Sequence, residues 1–127
     1  MSEEKNITIL VVEDNPANTA YIMFMLKKLN LPAIHAKSGE EALEILKEHT
    51  VKCGLLDIHL GEGMSGIKVM EHIRKLKNMS KIPLVAVTAF YTGEMSKQLL
   101  DSGFDGYLAK PYKFHELEAL LKKNGII

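Results

Sequence analysis

Five short, largely apolar runs recur along this chain, each followed by a stretch with helical spacing, and that alternation constrains the fold more than any other feature. Residues 7–12 read Ile-Thr-Ile-Leu-Val-Val, brief, rich in β-branched side chains and almost without a polar face. Such a run fits a strand buried on both sides, as strands of parallel sheets are. Residues 53–57 and 84–88 have the same character, whereas 32–36 and 105–109 are weaker and belong nearer the sheet edges.

Helical patterns fill the intervals. The first spans about 16–29, with Asn15 placed to cap it and Pro16 at its first position. The second opens on Ser38-Gly39-Glu40-Glu41, a capping-box pattern. The third spans about 66–77, with Ile67, Met70, Ile73 and Leu76 at helical spacing; the fourth and fifth span about 93–102 and 114–123. Five β–α units in series predict one α/β domain over residues 1–127, a doubly wound parallel sheet with helices on both faces.

Composition narrows the function. With 16 basic and 16 acidic residues the formal charge is zero, which disfavours a protein that coats nucleic acid or an anionic membrane. A single cysteine, Cys53, excludes a disulfide framework and a cysteine-rich zinc site and fits a reducing compartment, here taken as the cytoplasm. The first residues are polar and acidic, unlike a secretory leader, and no apolar run approaches a membrane span.

In doubly wound sheets, ligands sit beyond the C-terminal ends of the strands. The residues at those ends are therefore the informative ones: Glu13 and Asp14 after the first strand, Asp57 at the third, Thr88 at the fourth and Lys110 after the fifth. Three carboxylates held within about 5 Å of one another would repel by about 3 kcal/mol per pair at an effective dielectric near 20. They call for a cation, and an oxygen-only set suits Mg2+. Three carboxylates, one divalent cation and the Lys110 ammonium sum to neutrality. A phosphoryl group arriving on one carboxylate would meet a metal, an ammonium and a hydroxyl, the groups that phosphoryl transfer needs. The plainer alternative, that Glu13 and Asp14 only favour the positive end of the following helix, accounts for that pair but not for Asp57, Thr88 and Lys110.

Val11-Val12-Glu13-Asp14, Leu55-Leu56-Asp57, Val87-Thr88-Ala89 and Leu108-Ala109-Lys110-Pro111, in this order and at these spacings, resemble the receiver domains of two-component response regulators, and the likeness covers the whole chain. The resemblance implies a flavodoxin-like strand order 2-1-3-4-5. It implies Asp57 as phospho-acceptor from a histidine kinase or histidine phosphotransfer protein. Mg2+, with Mn2+ able to substitute, would be held by Glu13, Asp14, Asp57 and the backbone carbonyl of His59. Thr88 and Lys110 would bind the phosphoryl oxygens, Ala89 would leave them room, and the Lys110–Pro111 bond would be cis. The sequence departs from the common family pattern in having Glu-Asp rather than Asp-Asp, and in a loop after Asp57 with one more residue, around Gly61 to Gly63.

Two further expectations follow from the resemblance. Thr88 and Tyr107 would form the switch pair that answers phosphorylation, and the output face would comprise the fourth helix, fifth strand and fifth helix, with Met95, Gln98, Leu99, Tyr107, Tyr112 and His115 as candidates. A phosphodonor helix would dock on Asn15, Ala17, Asn18, Tyr21, Pro111 and Tyr112. The first helix supports this independently, because Ala17, Tyr21 and Phe24 form an apolar stripe beyond the core-spaced Ile22, Met25 and Leu26. The plainer reading is that this stripe packs on a neighbouring helix or a second copy. Cys53 reads as a small buried hydrophobe, and the histidines outside the loop, His35 among them, read as surface residues.

The resulting expectation is a signalling receiver, not an enzyme acting on other substrates, that meets a kinase or phosphotransfer protein and a downstream signalling protein. No direct DNA binding is expected, because no helix-turn-helix remains after the receiver. The alternatives are a receiver segment of a hybrid histidine kinase or phosphorelay, and, further off, a phosphatase with an Asp nucleophile.

Overall fold

The structure, a computed structural model, describes residues 8–60, 63–89 and 93–127. Ile7 and residues 61 and 62 of the loop after Asp57, both touched on above, lie outside the described residues. The elements alternate as the apolar runs predict: β1 (Ile9–Val12), α1 (Pro16–Lys28), β2 (Ala33–Ala36), α2 (Gly39–Glu48), β3 (Cys53–Asp57), α3 (Gly66–Arg74), β4 (Leu84–Thr88), α4 (Gly93–Ser102), β5 (Gly106–Ala109) and α5 (Phe114–Lys123). The strands form one sheet in the order β2-β1-β3-β4-β5, with every neighbouring pair parallel. This is the flavodoxin-like arrangement.

Alternation along each strand divides the interior. Ile9, Val11, Leu55, Val85, Val87 and Leu108 face one side, where Ile22, Met25 and Leu26 of α1 and Leu117 and Leu121 of α5 cover them. Leu10, Val12, Leu56, Leu84 and Ala86 face the other, against Ala42 and Leu46 of α2, Val69, Met70 and Ile73 of α3, and Leu99 of α4. A strand wet on one face would need a polar residue at every second position; β1, β3 and β4 bury every residue, and so they read as unbroken apolar runs. Cys53 is buried in the first of these clusters, where desolvation pushes its thiol up to about 12. The seat is that of a small hydrophobe.

Helix starts follow from local chemistry. Asn15 Oδ1 accepts from the N–H of Asn18, 2.9 Å away, and Pro16 supplies a helical φ at the first position. Ser38 Oγ accepts from Glu41 N–H at 3.0 Å, but the Glu41 carboxylate turns back to the N–H of Lys37, at 2.7 Å, rather than to that of Ser38. The box is thus shifted outward by one residue.

α3 is shorter than its periodicity predicts, ending at Arg74. The Arg74 guanidinium explains the stop. It donates to the carbonyls of Ser80 (3.0 Å), Ile82 (2.7 Å) and Gly103 (2.8 Å) and to Asp105 Oδ2 (2.8 Å), drawing the chain after the helix back beneath β4. Asp105 Oδ2 in turn accepts from Leu84 N–H, 2.9 Å away. One side chain thereby ties α3 to the starts of β4 and β5.

Candidate functional site

Strand register sets the site. Val12 pairs with Leu56, so Glu13 follows β1 at the level of Asp57 in β3. Asp57 pairs with Val87, which places Thr88 one step further along β4, and Thr88 pairs with Ala109, which places Lys110 one step beyond β5. The chain leaves β1 for β2 on one side and returns through β3 on the other, so the acidic ends lie beside the reversal in strand order, where such sheets open a crevice.

Within that crevice one carboxylate oxygen each of Glu13, Asp14 and Asp57 lies within 4.8 Å of the others. Glu13 and Asp57 are buried, and Asp14 is exposed. Lys110 Nζ donates to Glu13 Oε1 at 2.8 Å and to Asp57 Oδ2 at 3.0 Å. The other Asp57 oxygen accepts from the N–H of His59 at 3.0 Å, so both oxygens of this carboxylate are held. Glu13 Oε2 accepts from Asn15 N–H at 3.1 Å. A cavity of about 180 Å3, lined among others by Glu13, Asp14, Asp57, His59, Ala89 and Lys110, opens over the cluster.

Burial pushes the Asp57 carboxyl above its ordinary range; the bonds from Lys110 and His59 pull it down and Glu13 pushes it up again, with the net effect upward. Burial acts against the Lys110 charge, yet the bonds to Glu13 and Asp57 outweigh it and raise the Lys110 pKa. The site thus carries three acids against one ammonium. A hard divalent cation fits this deficit in both charge and donor type, and Glu13, Asp14 and Asp57 are the groups that would hold it. Replacing the exposed Asp14 by Ala removes one donor without opening a hole in the core; Mg2+ affinity, measured by titration calorimetry, is expected to fall at least tenfold. An unchanged affinity would remove Asp14 from the ligand set.

The raised Asp57 pKa has a stability consequence. The folded chain holds this proton more tightly than the unfolded one, so the group's contribution is complete below the unfolded pKa of about 3.9 and is lost as pH rises through the higher folded value. At neutral pH and without metal, Asp57→Asn keeps the shape and drops the charge, while Glu13 retains Lys110. The thermal midpoint of the variant in a chelator is expected to rise. A lower midpoint would show that the Lys110–Asp57 bond outweighs the strain of the cluster.

Other expected site residues fall as follows. Thr88 is fully buried at the end of β4, and its carbonyl accepts from Lys110 N–H at 2.8 Å. Tyr107 is half-buried and packs against the α2–α3–α4 side of the core. The Lys110–Pro111 bond is cis. Asn15, Ala17, Tyr21 and Pro111 are exposed and Asn18 is half-buried, but Tyr112 is not a surface residue: only 6% of it is exposed. Its ring joins the core on the α1–α5 side, 5.6 Å from the ring of Tyr21, and Tyr21 Oη donates to its carbonyl at 2.7 Å. Leu99, another output-face candidate, also points into the core, whereas Gln98 and His115 are exposed.

Sequence reasoning missed two supports of the site. His35 is half-buried, not a surface residue, and its Nε2–H donates to the carbonyl of Glu13 at 2.8 Å, while Glu13 N–H donates to Ala36. The peptide carrying the acidic pair is therefore held from β2 on both sides. Gly66, at the start of α3, lies so close to the Asp57 carbonyl that any side chain there would collide with it. A glycine opening a helix just after a functional loop is the only trace that this approach leaves in the sequence.

A five-stranded parallel sheet of this order, with its charged strand ends gathered over one cavity, defines the chain as a flavodoxin-like receiver module. The model of the response regulator receiver domain matches residues 9–122, and the chain belongs to that family. It is 34% identical over 115 residues to the signal transduction histidine-protein kinase BarA of Escherichia coli (strain K12), covering 91% of this chain but only 12% of that protein. It is 31% identical to the polar-differentiation response regulator DivK of Brucella ovis, covering 82% of this chain and 84% of DivK. Among solved structures, the receiver domain of sensor histidine kinase PA1611 from Pseudomonas aeruginosa PAO1, described with a magnesium ion coordinated in its active-site cleft, superposes with a TM-score of 0.84 at 30% identity, covering 94% of this chain and 97% of that one.

Proposed function

We propose that the chain is a phosphorylation-dependent signalling receiver that accepts a phosphoryl group on Asp57. The observation that carries this reading is the Asp57 carboxylate, buried, held at both oxygens and facing Lys110, Glu13 and Asp14 across one small cavity. An Asp57 oxygen attacks the phosphorus of a phosphohistidine or acyl phosphate. A P–O bond to Asp57 forms, the bond to the leaving group breaks, and the leaving group departs with the electron pair and is protonated from solvent as its pKa requires. Lys110 is placed to follow the charge, because its ammonium already bridges Asp57 and Glu13. Ala89 lines the cavity with no more than a methyl group where the phosphoryl oxygens need space. A bound Mg2+ supplies charge neutralisation of the transferring group.

The donor is a histidine kinase or phosphotransfer protein of the cytoplasm, docking over Asn15, Ala17, Asn18, Tyr21 and Pro111, of which all but the half-buried Asn18 are exposed. Output runs through the α4–β5–α5 face, with Thr88 and Tyr107 as the switch pair and a downstream signalling protein as reader. No described helix is long and apolar enough to cross a membrane. The likeness to BarA favours a second form of the same reading, a receiver segment of a hybrid kinase in a phosphorelay; the 84% coverage of DivK fits a stand-alone regulator equally well. The deciding test is phosphorylation by a small donor, taken up in the Discussion. Repeated turnover of a phosphate ester instead of a single labelling event would favour a phosphatase.

A further inference from the structure

We propose that the Tyr21 hydroxyl is a positioning group for phosphoryl transfer, acting through Lys110; the inference rests on the phospho-acceptor reading of Asp57. Lys110 must present its ammonium at a fixed point, yet it lies one residue beyond β5, where the chain leaves the sheet for a turn. Three bonds fix that turn. Lys110 N–H donates to the Thr88 carbonyl at 2.8 Å, and Lys113 N–H donates to Glu116 Oε1 at 2.7 Å. Between these anchors Pro111 has no N–H to give, and the Tyr112 carbonyl accepts from Tyr21 Oη at 2.7 Å. The first anchor comes from the neighbouring strand and the second from the helix that follows. The Tyr21 bond ties the turn to α1, the helix that starts directly after the acidic pair and Asn15.

The hydroxyl therefore spans the two halves of the site, with α1 fixed next to Glu13 and Asp14 at one end and the Lys110 turn at the other. The buried Tyr112 ring lies against that of Tyr21, and Tyr21 as a whole is 45% exposed. Removing the hydroxyl alone costs little packing but frees the carbonyl next to the lysine-bearing turn. The same residue lines a cavity of about 320 Å3 with Lys110 and Ala89, so its ring can meet a docking partner while its hydroxyl acts inward. An alanine at Tyr21 confounds these two roles; phenylalanine separates them.

The test is the rate of phosphoryl uptake by the full chain from acetyl phosphate in Mg2+, followed by intact mass. Tyr21→Phe, which keeps the ring, is expected to slow uptake about fivefold, the rate equivalent of one hydrogen bond. Mg2+ affinity is expected to stay unchanged, since no proposed ligand is touched. In a Lys110→Ala background the same substitution is expected to have no effect, because a group acting through the ammonium has nothing left to position. This comparison also decides the matter if Tyr21→Phe lowers the thermal midpoint. An unchanged rate, or an equal fractional loss with and without Lys110, overturns the positioning role alone. A wild-type chain that takes up no phosphoryl group overturns the reading of Asp57 beneath it.

Discussion

Incubated with Mg2+ and acetyl phosphate, the wild-type chain is expected to gain the mass of one phosphoryl group and the Asp57→Asn chain none. The expected loss is complete because amide oxygen is a poor nucleophile toward phosphorus, whereas a carboxylate oxygen is a competent one. Lys110 Nζ stands 3.0 Å from Asp57 Oδ2, and His59 N–H stands 3.0 Å from Oδ1. The single amide oxygen can keep one of these donors, and Glu13 still accepts from Lys110, so the variant is expected to fold and to keep the shape of the site. Uptake by the Asp57→Asn variant at the wild-type rate would move the acceptor elsewhere and end the proposal for this residue. Loss of uptake in both chains would deny the chemistry itself.

Arg74→Ala is expected to have the largest effect on stability, a loss of about 3 kcal/mol or roughly 10 °C in thermal midpoint. The guanidinium is the common donor for the carbonyls of Ser80, Ile82 and Gly103, and it holds Asp105 in place to accept from Leu84 N–H. Much of the effect comes from those carbonyls, not from the ion pair, since Asp105 is 44% exposed and such pairs contribute little on their own. Arg74→Lys is expected to recover less than half of the loss, because one ammonium cannot fan out to acceptors on two separate turns. Urea unfolding of the three chains measures both differences. A loss under about 0.5 kcal/mol for Arg74→Ala would mean that water replaces the guanidinium without penalty.

The particular elements show what a sequence can and cannot reveal here. β3, β4, α4 and α5 lie where the apolar runs and helical spacing put them, because each is set by local chemistry: a buried run, or an apolar stripe that in α5 ends in lysines. The polar strand ends were legible for the same reason, since parallel register brings them to one edge once the strand order is granted. Three features were not legible. Arg74 reads as an ordinary helix-end arginine, because its partners lie between 6 and 31 residues away. Tyr112 follows a proline in a turn and reads as exposed, and only the packing of α1 and α5 buries it. The His35 contact with Glu13 joins residues 22 apart across two strands, with no motif to announce it.

Because side chains alternate along every strand, the sheet separates two hydrophobic clusters. One is roofed by α1 and α5, the other by α2, α3 and α4. The sheet is a single layer thick, yet it keeps the two clusters apart. Changes of side-chain volume under α1 and α5 and changes under α2 to α4 should therefore combine by simple addition. The half of the molecule that would greet a donor and most of the half that would address a reader can thus be altered one at a time.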